Sequence, residues 1–277
     1  MAGEMHVVCI GPANVEIPFK ISELQFSAGW ASLLALPEGK HDLVTYATIP
    51  GENQDDHVLV IRRKKRVSIR FTAPSATQRK PAGSALNIAV GLQKLGASVR
   101  LITSLVDVPH EELSSRIRMY ALGQSIQLIE IPRPMTPITF IIVDGDGERK
   151  KSTVLSYKPL YIITRNDSNK ALREMKKVKT THVLATGIRL PELALARKAF
   201  RYARQRGAMT CFIPNPSILL PTDENIRREL AQVMPLVDVW QMNEREAEVF
   251  LGKGEGTLEL PKDGMKIAQQ TRVATLI

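Results

Sequence analysis

The sequence is poor in cysteine and in aromatic residues. It holds two cysteines in 277 residues, Cys9 and Cys211, and 5% Phe, Trp and Tyr. Each cysteine lies inside a short apolar run typical of a buried strand, so the chain has no material for a disulfide framework or a cysteine-based metal cluster. Both are predicted to be reduced core residues. Five scattered histidines give no paired spacing that suggests a zinc site.

Long apolar runs are also missing. The chain has no uninterrupted apolar stretch of about 18 residues, the length that a membrane span needs. Residues 1–19 lack a basic segment followed by an apolar core and a cleavage site. We therefore expect no membrane partner and a cytoplasmic location. With 44% hydrophobic and 24% charged residues, the chain is long enough to bury a sizeable core.

Acidic residues are outnumbered, 28 against 38 Lys and Arg, which gives a formal charge of +10. Such a balance is compatible with nucleic-acid binding, because Lys and Arg displace counterions from phosphates. The densest basic run, 62–66, lies inside a predicted hairpin or pair of edge strands at 58–71, where charge discourages edge-to-edge pairing. Basic residues at 170–180 and 197–206 are interpreted as solvated helix faces. A basic nucleic-acid-binding protein remains the least favoured functional hypothesis.

From residue 83 onward the apolar pattern alternates between strand and helix. A first strand is predicted at 5–11, a second hairpin at 138–155, and residues 18–81 are irregular apart from 58–71. Alternation of this kind favours a mostly parallel sheet with helices on both faces. The later strands are predicted at 98–106, 126–131, 181–187, 209–215 and 237–243. The helices are predicted at 86–95, 110–121, 167–177, 191–206, 223–233 and 244–251.

Three segments carry a family resemblance through their order and spacing. They are VVCIGPANVEI, PAGSALNIAVGLQKLGASVRLITSLVDVPHEEL and LVDVWQMNEREAEVFLG. With them the chain resembles the ribokinase-like (PfkB) carbohydrate kinases, loosely over 5–16 and throughout 80–277. The resemblance implies an α/β fold of three layers, α/β/α, around a mostly parallel sheet with a small β lid. Residues 1–277 would form one incomplete ribokinase-like domain, to which 17–79 contribute the lid.

The resemblance also implies substrate-binding residues. Asn14 and Glu16 match the polar pair that the family presents to the sugar, although the family usually has Asp in place of Glu16. Gly83 allows the backbone to approach a substrate, and Asn87, one helical turn later, can point its amide into the same pocket. The family usually doubles this glycine, whereas Ala82 precedes it here. The alternatives are a turn cap for Asn14 and an ordinary helix start at Gly83.

A second group of residues is implied on the nucleotide side. Asn243 and Glu246 match the Asn-x-x-Glu element that organises water and Mg²⁺ around the phosphates, with Glu246 acting on the metal through water. Asn215 is a further candidate on this side. Without the resemblance, Asn243 is an N-cap and Glu246 stabilises the first turn of its helix, and both roles are compatible. The expected activity is ATP-dependent phosphorylation of a hydroxyl of a sugar or nucleoside.

The expected catalytic base is not in the sequence. Relatives carry a Gly-Ala-Gly-Asp segment whose helix N-terminus stabilises the transferring phosphoryl group and whose Asp takes the hydroxyl proton. That segment does not occur here, nor does a Gly-x-x-x-x-Gly-Lys-Ser/Thr loop. We expect the base beyond Ile277, so the chain is interpreted either as a fragment of a full-length kinase or as a truncated remnant that binds a sugar or nucleoside without chemistry. Dimerisation through the lid is a further expectation from the resemblance.

Overall fold

The structure is a computed structural model of the 277-residue chain, and it describes most of the residues. The described residues are 5–20, 24–26, 44–47, 56–62, 66–72, 80–106, 112–133, 138–143, 153–157, 163–188, 190–214, 224–251, 253, 256, 257, 259, 262, 263, 265, 267 and 275–276.

The described elements alternate along most of the chain. The strands are β1 His6–Ile10, β2 Asn14–Lys20, β3 Leu24–Phe26, β4 Val44–Ala47, β5 Asp56–Arg62, β6 Arg66–Thr72, β7 Lys80–Ala82, β8 Ser98–Val106, β9 Gln127–Arg133, β10 Ile138–Val143, β11 Thr153–Tyr157, β12 His182–Thr186, β13 Met209–Ile213, β14 Val239–Trp240 and β15 Thr275–Leu276. The helices are α1 Ser84–Lys94, α2 Glu112–Gly123, α3 Arg165–Lys176, α4 Leu190–Gln205, α5 Glu224–Val233 and α6 Glu244–Leu251.

The chain divides into two compact units. The first contains residues 1–13, 83–134 and 161–277, and the second contains 14–82 and 135–160. The second unit therefore includes the 138–155 hairpin together with the whole segment 17–79 that is predicted as a lid. The assignment of 17–79 to a lid stays a prediction.

The first unit is built on a seven-stranded sheet in the order β15-β14-β13-β12-β1-β8-β9. Every described pair of neighbouring strands in it is parallel. Val8 and Ile10 of β1 face a buried cluster that includes Met175 of α3 and Phe200 of α4. Since side chains alternate along a strand, Val7 points to the other face, where α1 contacts β1, β8 and β12. The predicted three-layer α/β/α fold is confirmed.

The helix boundaries agree with the sequence predictions to within two residues at each end. This agreement follows from the strong 3.6-residue periodicity of their buried faces. Within the described residues, none of the helices combines the length and the apolar character needed to cross a bilayer.

The two cysteines are free, as predicted. Cys9 is completely buried and Cys211 is partly buried. Burial raises the pKa of the Cys9 thiol to about 12 and that of the Cys211 thiol to about 11, so both stay protonated at neutral pH.

A column of four aromatic rings packs α4 and α6 against β13 and β14 of the sheet. Phe200 of α4 meets Phe212 of β13 edge to face, with ring centroids 6.4 Å apart. Phe212 then packs on Trp240 at 5.7 Å, and Trp240 on Phe250 of α6 at 5.2 Å. Contacts of this kind add stability beyond the area they bury. The column fixes α6 against the strand that leads into it.

The second unit contains two four-stranded sheets. One has the order β11-β10-β2-β7 and the other the order β3-β6-β5-β4. The antiparallel pairs β5–β6 and β10–β11 confirm both predicted hairpins. The rest of 18–81 was expected to be irregular, which is wrong where β2, β3, β4 and β7 form. Pro18 interrupts the strand pattern of β2 in the sequence. The strand accommodates Pro18 because β7 pairs with β2 only as far as Glu16, so no described partner on that side requires the N–H that proline lacks.

The close approach of Gly11 to the backbone of Thr186 predicts a difference between two glycine substitutions. A Cβ at Gly11 would collide with the carbonyl oxygen of Thr186, and the φ of Gly11 is +148°. We expect Gly11→Ala to lower the free energy of unfolding by roughly 2–4 kcal/mol, through overpacking and backbone strain. Gly91 of α1 has no atom within 4 Å of an added Cβ. Gly91→Ala should therefore stabilise by about 0.5–1 kcal/mol through helix propensity.

Chemical denaturation of the two variants and the parent chain measures both changes. A Gly11→Ala variant as stable as the parent would show that this close approach does not exist in solution. The Gly91→Ala control shows whether replacing a glycine at a position with open space raises the free energy of unfolding, which is the opposite of the effect expected at Gly11.

Candidate functional site

The carboxyl ends of the seven parallel strands lie at one edge of the sheet. The chain passes from β1 to β8 and β9 on one side, and then returns to β12, β13, β14 and β15 on the other. The strand order therefore reverses between β1 and β12. In open α/β sheets such a reversal leaves a crevice outside the carboxyl ends of the strands, and ligands bind there.

Glycines occupy the turns after both of these strands. Gly11 follows β1 and Gly187, at φ +59°, follows β12. A Cβ on Gly187 would collide with Oγ of Ser84 and lie 3.2 Å from Cγ of Pro12. A Cβ on Gly11 would also lie 3.0 Å from Cβ of Ala85. The start of α1 is thus packed directly against both turns.

Helix α1 presents its N-terminus at this edge. Its N-cap is Gly83, which is buried and has a φ of 112°, a region that favours glycine. Gly83 has no side chain to accept from the first N–H groups of the helix, and its carbonyl accepts from the N–H of Asn87 at 2.8 Å. The side chain of Asn87 is exposed. The remaining N–H groups of the first turn are donors suited to a ligand oxygen.

A buried threonine holds the turn after β1. Oγ1 of Thr103, on β8, accepts a hydrogen bond of 2.9 Å from the N–H of Ala13, and both residues are buried. The N–H of Gly11 bonds to the carbonyl of Ile102 at 3.1 Å. These bonds fix the backbone that carries Gly11 and Pro12 at the crevice.

Asn243 and Glu246 lie three and six residues after β14, at the same edge. Oδ1 of Asn243 accepts from the N–H of Glu246 at 2.8 Å, and Oε2 of Glu246 accepts from the N–H of Asn243 at 2.9 Å. This reciprocal pair is a capping box for α6, so the predicted N-cap role is confirmed. Asn243 is exposed, whereas the Glu246 side chain is buried, with 8% of its surface accessible.

Burial changes the acidity of Glu246. Desolvation raises the pKa of its carboxyl above the ordinary value of 4.5, and the hydrogen bond from the N–H of Asn243 acts in the opposite direction. The other carboxylate oxygen makes no hydrogen bond within the described part of the chain. A nearby cation would offset the cost of ionising this group.

Asn14 and Glu16 belong to the second unit. They are alternate residues of β2 and therefore lie on one face of that strand. Asn14 is 5% exposed and lies opposite Ala82 of β7, and Glu16 is partly buried and lies opposite Lys80. Asn14 is the first residue of β2, and the alternative of Asn14 as a turn cap stays a prediction. Asn215 lies outside the described residues.

Several residues at the carboxyl edge of the sheet were not predicted from the sequence. Ser84, Thr103, Thr186 and Gly187 were not predicted as site residues, although the turn after β12 packs on the start of α1. A signal was present, because HVVCIG and HVLATG are both apolar strands that end in glycine. The two glycines indicate a shared site only if β1 and β12 are neighbours in the sheet, and one sequence alone does not reveal that pairing.

Solved structures similar in fold include several sugar kinases. The ribokinase of Giardia lamblia gives a TM-score of 0.62 at 12% identity, with 99% of this chain and 68% of that chain covered. A fructokinase from Xylella fastidiosa, solved with bound ATP, gives 0.59 at 14% identity, with 99% and 71% covered. At these identities the likeness shows the fold alone.

Two curated proteins of Arabidopsis thaliana are similar in sequence. A probable fructokinase-7 is 25% identical over 180 residues, which cover 64% of this chain and 52% of that protein. A probable fructokinase-6, chloroplastic, is 25% identical over 190 residues, which cover 65% and 47%. The match thus covers about half the length of these relatives. The family profile described as pfkB family carbohydrate kinase matches residues 60–277, so the chain belongs to the pfkB family of carbohydrate kinases.

Proposed function

We propose that this chain provides the sugar-binding and nucleotide-binding surfaces of an ATP-dependent carbohydrate kinase, which transfers a phosphoryl group from ATP to a hydroxyl of a sugar. The observation that carries the proposal is the reversal of strand order between β1 and β12, where Gly11 and Gly187 bring two turns against the start of α1. Phosphoryl transfer needs positioned reactants and preorganised donors more than covalent help from the protein. Family membership supports a carbohydrate as the acceptor.

The sugar is proposed to contact Asn14, Glu16, Gly83 and Asn87. A buried amide such as that of Asn14 can both donate to and accept from hydroxyls, which is the pattern that a sugar offers. The carboxylate of Glu16 accepts from hydroxyls and reaches one methylene further than the Asp usual in the family, so it would alter which hydroxyls are held. We propose D-fructose and D-ribose as the first sugars to test, because relatives and structural neighbours are named fructokinases and ribokinases.

The phosphates of ATP are proposed to lie near Asn243 and Glu246, with Asn215 on the same side. The residues present suit Mg²⁺: the donors are hard oxygens, and one oxygen of Glu246 is not used by the capping box. Bound Mg²⁺ would neutralise charge on the phosphates. Glu246 would hold a metal-bound water, and the capping box would keep its carboxylate in place.

The sugar proposal predicts the effect of one amide. We expect Asn14→Ala to weaken sugar binding roughly 10-fold, because it removes hydrogen bonds to hydroxyls at a buried position. Asn169→Ala is the matched control, because Asn169 is exposed on α3. Isothermal titration calorimetry with each sugar, with and without MgATP, measures the affinities. Equal affinities for the parent and Asn14→Ala, or no binding of any sugar tested, would contradict the proposal.

Turnover distinguishes the kinase from a non-catalytic binding protein. The 277 residues contain no Gly-Ala-Gly-Asp segment, which favours binding without turnover as the second candidate function of this chain. ADP release is followed for the same sugars. Sugar-dependent ADP release assigns catalysis to this chain, and sugar binding without release assigns the binding role alone.

The raised pKa of Glu246 gives a pH-dependent prediction. A carboxyl whose pKa is higher in the folded than in the unfolded chain contributes most stability below the unfolded value of about 4.5 and loses it as pH rises through the folded pKa. Without nucleotide or metal, the stability of the parent relative to Glu246→Gln should therefore fall between pH 4.5 and neutrality. Denaturation at a series of pH values measures it. A difference that rises with pH would reverse the assignment.

The metal role is tested with a neighbouring pair of glutamates. Glu246→Gln should weaken MgATP binding on the order of 10-fold while leaving metal-free ATP unchanged, because the outer ligand of a metal site is lost. Glu244→Gln is the matched control, since Glu244 is exposed in the same helical turn. Titrations with ATP, in Mg²⁺ and in EDTA, give the affinities. An equal loss in EDTA would place Glu246 in a purely structural role.

A further inference from the structure

Most of the net charge of the chain is concentrated on two helices and the residues that directly follow them. Residues 165–179, which contain α3, include six Lys or Arg and two acidic residues. Residues 190–206, which contain α4, include five Lys or Arg and one acidic residue. These two segments account for eight of the ten net positive charges. Nine of their basic side chains are exposed: Arg165, Lys170, Arg173, Lys176, Lys177, Lys179, Arg201, Arg204 and Arg206.

The basic rows of the two helices meet at Tyr202. Nζ of Lys176, from α3, lies 5.3 Å from the centroid of the Tyr202 ring, and Cζ of Arg206, just after α4, lies 5.0 Å from it. The two cations are therefore within about 10 Å of each other, roughly one screening length in 0.1 M salt. We name the exposed basic residues of 170–179 and 201–206 the α3–α4 basic face.

Few acidic groups offset this charge. Glu174 binds Lys177 at 2.7 Å and Asp238 binds Arg204 at 3.3 Å. No ion pair joins Lys176 or Arg206 to an acidic side chain within the described residues. The pKa of Glu174 lies below its usual value, chiefly because Lys177 donates a hydrogen bond to it. The positive field of Arg100 and Lys170 acts in the same direction.

The basic face lies away from the candidate site. The C-terminal ends of α3 and α4 lead into the starts of β12 and β13, at the amino edge of the sheet. The candidate site lies at the carboxyl edge, so the face does not serve the sugar or ATP proposed there. Cations near a helix C-terminus complement its dipole, but that effect acts only within the last turn. It does not account for a face of this extent across two helices.

We propose that the α3–α4 basic face binds the phosphate backbone of a double-stranded nucleic acid. A cluster of exposed Lys and Arg releases counterions from a duplex on binding. Single-strand binding instead uses open aromatic rings as stacking platforms, and the ring of Tyr202 is covered by Lys176 and Arg206. A membrane surface favours apolar anchors, and none of the exposed large hydrophobic residues described lies on α3 or α4. The sequence interpretation of solvated helix faces did not foresee that the two rows converge.

The test compares two pairs of charge-neutralising substitutions in the full chain. K176Q with R206Q removes the two cations at Tyr202, and K94Q with K262Q removes the same charge from exposed residues outside the face. A fluorescent 20-base-pair DNA duplex is titrated at several salt concentrations. We expect the first pair to weaken binding roughly 10-fold and to reduce the salt slope by about 2, one unit for each lost phosphate contact. The second pair should change affinity less than twofold.

Three results would overturn the proposal. They are the absence of duplex binding at 50 mM salt, an equal loss in the control pair, and binding of poly-glutamate or phosphatidylserine vesicles as tight as that of the duplex. Melting curves of all variants show that the exposed substitutions leave the fold intact. An RNA duplex of the same length, titrated alongside, supports the proposal if it binds with the same loss in the K176Q/R206Q pair.

Discussion

The arrangement of the first unit depends on a steric constraint where the strand order reverses. The turn after β1 lies so close to the carbonyl of Thr186 that only glycine fits at position 11, and a Cβ in the turn after β12 would meet the side-chain Oγ of Ser84. Ser84 and Ala85, at the N-terminus of α1, pack against these two turns at the carboxyl edge of the sheet. Larger residues at these positions would move α1 outward and separate its N–H groups from the crevice.

The parallel sheet places the two chemical regions of the first unit at opposite edges. Every described strand pair in that sheet runs in the same direction, so Gly83 and Asn243 lie at one edge and the starts of β12 and β13 at the other. The carboxyl edge offers backbone donors and one buried carboxylate. The amino edge is lined by the basic ends of α3 and α4. A surface that takes up small ligands and a surface for a polyanion can therefore coexist without competing.

The sequence predicts elements well where periodicity is strong and less well where contacts are distant. The capping box of Asn243 and Glu246 is local, and the four residues 243–246 suffice to anticipate it. Strand β2 was missed because Pro18 interrupts its pattern and because its partners, β7 and β10, lie far along the chain. The close approach of Gly187 to Ser84 joins residues more than a hundred positions apart. No local pattern contains such information, so the glycine pair becomes interpretable only once strand order is known.

A crystal structure of this chain grown with D-fructose and a non-hydrolysable ATP analogue would show where the sugar and the nucleotide bind. We expect sugar density at the carboxyl edge, with hydroxyls within hydrogen-bond distance of the first N–H groups of α1, and phosphate density near Asn243 and Glu246. Density for both ligands at the amino edge of the sheet, or an empty carboxyl edge at saturating ligand, would contradict this expectation.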